Sequence, residues 1–154
     1  MYPTMMSHML RRLTFLLAAS ALPLAAQKKS AGAGRLVGET AAGLVAMPIG
    51  FAVGYTIGSG FHPGRGQSNG GVALGLTGAL LGPATGVNLV GNGGPSRGNF
   101  AATVGGAAVG YGALYFAIPA ATKVNPMPLK IAAIVAAVAL PAVGATVAYN
   151  ATRK

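Results

Sequence analysis

Charge is sparse along this chain, and the gaps between charged residues are long. Four stretches carry no Asp, Glu, Lys or Arg: Thr40 to Gly64, Gly66 to Ser96, Gly98 to Thr122, and Ile131 to Thr152. Each exceeds the ~20 residues a helix needs to cross a bilayer. Their apolar parts lie near 36–58, 71–91, 100–121 and 129–150. Between them stand SGFHPGRGQSNG, NGGPSRGN and TKVNPMP, rich in the Gly, Pro and Asn that interrupt regular structure. The recurrence, about 30 residues apart, is a loose internal repeat.

Within the second segment glycine falls at 71, 75, 78, 82 and 86, flanked by Leu74, Leu80, Leu81, Val87 and Leu89. Steps of three and four share a helix face. Gly71, Gly75, Gly78, Gly82 and Gly86 therefore form a smooth stripe on which another backbone can pack closely, as helices do in lipid. The first segment repeats the device at Gly50, Gly54 and Gly58. The third carries Gly106 and Gly110, followed by Ala113, Ala117 and Ala121. In the fourth, Ile131, Ile134, Val135 and Val138 mark one helical face among alanines. The pattern predicts an all-α membrane bundle of about four glycine-rich helices, kinked at Pro48, Pro83 and Pro141. A competing reading exists. In GFAVGYTIGSG the large residues Phe51, Val53, Tyr55 and Ile57 alternate with small ones, and period two is a strand signature. With the prolines as hairpin turns, the same segments make a small eight-stranded outer-membrane barrel. The fourth segment has almost no polar face to line a lumen, and that favours helices.

Ahead of the four segments, residues 1–26 have the order of a secretory signal: Arg11 and Arg12, apolar Leu13–Leu24, then Ala25-Ala26 before Gln27. We expect cleavage after Ala26, an uncleaved anchor being the alternative. A polar linker at 27–35 leads into a membrane domain at 36–154. Export creates a tension. With the signal removed, Lys28, Lys29, Arg35, Arg97, Arg153 and Lys154 fall outside, and Arg65, Lys123 and Lys130 inside. That reverses the usual positive-inside bias, so inner and outer envelope membrane both stay open.

Composition narrows the chemistry. The 154 residues are 53% hydrophobic and 8% charged, against about 25% charged in soluble domains. Eleven Lys/Arg against the single acid Glu39 give a net charge of +10. The cations come singly or in pairs between apolar segments. That arrangement suits anionic lipid head groups rather than the clustered footprint of nucleic-acid binding. There is no cysteine, and beyond the signal segment one carboxylate, Glu39, and one histidine, His62. Paired-carboxylate catalysis and a His/Cys/acid metal cluster are out of reach of one chain. A triad from Ser59, His62 and Glu39 fails because a helix of some 20 residues, ~30 Å, separates the acid from the histidine. GAGRLVG lacks the dinucleotide-binding spacing, and GNGGPSRG reads as a flexible turn. We expect no enzyme activity, no cofactor and no metal. Glu39 follows Arg35 by four residues, which predicts an exposed ion pair at head-group level. The alternative gathers several Glu39 side chains around the lumen of an oligomeric pore. Tyr2, Tyr55, Phe61, Phe100 and Tyr149 include several residues at segment ends, where aromatic belts form.

GFAVGYTIG and GVALGLTGALLGPATG resemble the glycine-zipper segments of small bacterial membrane and envelope proteins. VAYNATRK and GVNLVGN are similar to recurring pieces of short, exported, glycine-rich bacterial proteins. The resemblance covers the four apolar segments and carries no catalytic residues. It implies a self-associating protein, a homo-oligomer or part of a larger membrane complex, with a structural or accessory role and the lipid bilayer as its surroundings. The alternative role is a pore or membrane-permeabilising protein.

Overall fold

The computed structural model describes residues 32–60, 69–94 and 96–154. The expected signal segment, its expected cleavage site, and Tyr2, Phe61, His62 and Arg65 lie outside the described residues. Four helices follow in order: α1 (Ala33–Gly58), α2 (Asn69–Gly91), α3 (Phe100–Ala121) and α4 (Met127–Ala151). Among the described residues there is no strand, and the alternating stretch Phe51–Gly58 is helical. Period two in that stretch reflects glycines needed every fourth residue for packing, with bulky residues filling the places between. The barrel is thereby excluded for these segments. α3 is capped by Asn99, whose side chain accepts from the amide of Ala102 at 3.1 Å. Pro128 sits in the first turn of α4, where its missing N–H costs nothing.

The helices run alternately up and down. α1 and α2 lie antiparallel in one unbroken register. Cβ atoms built on Gly50, Gly54 and Gly58 would land on the carbonyls of Gly78, Leu74 and Gly70. On Gly82 and Gly86 they would land on the carbonyls of Ala46 and Ala42. Each step of four up α1 is matched by four down α2, so the backbones touch along nearly their whole length. α3 and α4 form a second tight pair, with Gly106 against Gly144, and Gly110 against Leu140 and Pro141. The pairs join through α1 with α4, α2 with α3, and α2 with α4; α1 does not meet α3. α2 is the most enclosed helix.

Burial is inverted relative to a water-soluble protein. Among the described residues the buried apolar ones are mostly alanines, with Val87, Tyr149, Pro83 and Pro141 the larger ones; Glu39, Asn88, Thr103 and Thr146 are also buried. Large side chains point outward: Leu89 is 74% exposed, Val109 74% and Tyr115 75%. In water, burying such a side chain contributes about 1.5–3 kcal/mol, and a soluble fold would turn them in. In lipid that drive vanishes, and close backbone contact takes its place. All four helices are long and apolar enough to cross a membrane. The chain is a membrane protein of the all-α bundle class.

Each helix holds an internal proline: Pro48, Pro83, Pro119 and Pro141. Proline has no amide hydrogen, so the carbonyl four residues earlier loses its donor. For Pro83 that carbonyl belongs to Ala79, and Tyr111 on α3 donates its hydroxyl to it at 2.8 Å. A neighbouring helix thus repairs the gap, as prolines inside a bilayer require.

Candidate functional site

One end of the bundle gathers the start of α1, the end of α2, the 92–99 connection and the end of α4. Its centre is Glu39, with no exposed surface although it lies in the second turn of α1. A bare carboxylate in such a place would carry a large desolvation cost. Here Arg35 Nε donates to Oε1 at 2.9 Å, and Asn150 Nδ2 donates to Oε2 at 2.5 Å. Arg153 Nη1 stands 4.0 Å from Oε1.

The cations extend this centre to the other elements. Arg35 Nη2 donates to the carbonyl of Gly91, the last of α2, where a helix end carries partial negative charge. Arg153 Nε donates to Ser96 Oγ at 2.6 Å, and its Nη1 donates to Asn150 Oδ1 at 3.2 Å. Asn150 Nδ2 also donates to the carbonyl of Thr146 at 2.9 Å. Thr146 Oγ1 accepts from Thr40 Oγ1 at 3.1 Å. The 2:1 ratio of guanidinium to carboxylate shows in one atom: Arg153 Nη2 is buried and has no hydrogen-bond partner.

Beside the ion cluster lies Tyr149, fully buried, its hydroxyl donating to Asn92 Oδ1 at 2.8 Å. Gly91 and Gly98 press on its ring so closely that a Cβ on either would collide with it. The Arg153 guanidinium lies 5.9 Å from the ring centroid. The expectation of an interfacial aromatic does not hold for Tyr149: its ring fills the gap where α2 and α4 end and α3 begins. Tyr55 is half-buried and Phe100 exposed.

The expected Arg35–Glu39 pair is formed, but it is not the exposed pair the spacing predicts. Arg35 keeps 29% of its side chain exposed and Glu39 none, because the end of α4 covers the carboxylate. Of the glycines expected to pack, Gly50, Gly54, Gly58, Gly78, Gly82 and Gly86 line the α1–α2 contact and Gly106 and Gly110 the α3–α4 contact. Gly71 is buried where Gly58 approaches it, and Gly75 lies under the ring of Phe51. Sequence reasoning misses Asn150, Arg153, Ser96 and Asn92 as partners. The available signal is arithmetic: one acid placed near several cations and asparagines at segment ends.

No family model matches the chain, and no curated protein or solved structure matches it either.

Proposed function

We propose that this chain is an exported bacterial envelope protein with a structural or accessory, non-catalytic role, which self-associates through small-residue helix faces. The observation that carries the reading is the inverted burial: alanine and glycine inside, large apolar side chains outside. A surface of that kind is suited to lipid and to other helices. The ion cluster supports a structural role. It joins three helices and a connection, and every atom of its single carboxylate is engaged. Glu39 faces into the bundle, and a carboxylate enclosed in this way counts against the cation-selecting ring on which the pore reading rests.

Self-association then needs a face that the chain has not already used. The stripes of α1 and α2 are consumed within the monomer. On α3 a second stripe, Ala101, Gly105, Ala108 and Gly112, is exposed, and a Cβ at Gly105 or Gly112 would meet nothing within 4 Å. A second copy of the chain packs on this stripe. Amine cross-linking of the full chain in bilayers tests it. Wild type gives dimers, Gly105→Leu and Gly112→Leu reduce them severalfold, and Gly34→Leu, also in open space, leaves them unchanged. A monomeric wild type, or equal dimer yields from all variants, overturns self-association through this face.

A further inference from the structure

The whole sequence contains one acidic side chain, and the cluster at the polar end of the bundle has enclosed it. Arg35, Arg97, Arg153 and Lys154 share that end, which leaves it cationic even when a terminal carboxylate beside Lys154 is counted. Two of these cations are exposed. Arg97 lies in the 92–99 connection and Lys154 follows α4, and the amide of Lys154 donates to the carbonyl of Arg97 at 3.3 Å. A further backbone donor, the amide of Asn99, reaches Thr152 Oγ1 at 3.0 Å. The connection and the end of α4 are therefore stitched together, and the backbone positions that carry the two cations are held next to each other. Beneath the surface, Arg153, the residue before Lys154, holds Ser96 in the same connection and keeps a buried Nη2 with no hydrogen-bond partner. No acid elsewhere in the chain can supply one.

What borders the cations distinguishes one class of anion from another. The helix ends joined by this connection present exposed apolar side chains at the same level: Leu89 and Val90 at the end of α2, and Phe100 at the start of α3. A soluble anion would use only the cations. A phospholipid uses both, its phosphate at the cations and its acyl chains along the apolar residues. We propose that this end of the bundle docks the head group of an anionic phospholipid on Arg97 and Lys154, with the Arg153 guanidinium behind them. The proposal rests on the membrane reading above and adds the lipid class.

Native mass spectrometry of the full chain released from detergent micelles tests it. The probes are phosphatidylglycerol, phosphatidylcholine with the same acyl chains, and inorganic phosphate. Basic residues near an anionic lipid surface attract it at a strength that makes two of them worth about a tenfold preference or more. Wild type should retain phosphatidylglycerol over phosphatidylcholine by that factor. Arg97→Gln with Lys154→Gln should reduce the preference to near unity, and the exchange Arg97→Lys with Lys154→Arg should keep it. Lys123→Gln with Lys130→Gln, at the opposite end, should also keep it. Lys154→Gln alone, beyond the last helix, gives a partial loss without touching the fold. Equal retention of the two lipids by wild type overturns the proposal, as does a preference that survives the Arg97/Lys154 double variant. Displacement of phosphatidylglycerol by millimolar phosphate would show a free-anion site and overturn it as well. The same spectra report oligomeric state, so a monomer that still prefers phosphatidylglycerol removes self-association and leaves this proposal standing.

Discussion

Glu39 shows how much of a residue's environment is decided by chain far away in sequence. Spacing alone ties it to Arg35, one helical turn back, and an exposed pair of that kind contributes about 0.3–0.5 kcal/mol. Burial changes the scale. Removing one partner of an enclosed ion pair typically costs 3–5 kcal/mol, because the other charge is left desolvated. Arg35 is partly open to solvent and Asn150 would remain, so we expect Arg35→Ala to destabilise the bundle by about 2–3 kcal/mol, below that range. Glu39→Gln keeps the volume and removes the charge. Combined with it, Arg35→Ala should cost distinctly less than it does alone, and unfolding in mixed micelles measures the difference. Strictly additive costs would mean that the pair contributes nothing beyond packing. The Arg35–Glu39 contact was legible because it is local. The donor from Asn150 lies 111 positions away, and only the packing of α4 against α1 brings it there.

At the scale of elements, the glycine stripes were readable because a repeat of three or four residues has one geometric meaning on a helix. Their partners were not. Nothing in the local pattern says that Gly50 meets Gly78 rather than a glycine of another segment, or another copy of the chain. The antiparallel register of α1 and α2 follows from a short connection and from stripes of equal spacing, and it predicts a sharp contrast. A methyl group at Gly78 would fall on the Gly50 carbonyl. Backbone atoms cannot turn aside as a side chain can, so Gly78→Ala should cost about 3 kcal/mol, the upper end of ordinary overpacking. Gly34→Ala, with nothing near it, should leave the unfolding midpoint within about a degree of wild type. A Gly78→Ala protein as stable as wild type would contradict the close contact. Gly144 and Gly43 also serve tight contacts, yet each is isolated among alanines and leucines, where no repeat marks it. The donation from Tyr111 to Ala79 escapes a linear reading for a similar reason, since the proline marks the broken bond but not the helix that repairs it.

For the whole molecule, the up-and-down order of four helices, each long and apolar enough to cross a membrane, fixes which residues share an end of the bundle. The ion cluster, the 92–99 connection and the end of α4 occupy one end; the 122–126 connection, with Lys123, occupies the other. Apolar length and breaker positions made the number of helices legible, and their order in space follows from short connections. The side that faces the cell interior does not follow, because the signal-like start and the distribution of cations pull in opposite directions. The chain has no cysteine, so single cysteines can report position without background. The decisive measurement is labelling of Gly93→Cys, Lys154→Cys and Lys123→Cys, one at a time, with a membrane-impermeant maleimide in sealed vesicles of a single orientation. The bundle predicts that Gly93→Cys and Lys154→Cys label together from one side, and that Lys123→Cys labels only from the other. Labelling of all three from the same side would contradict a four-span bundle.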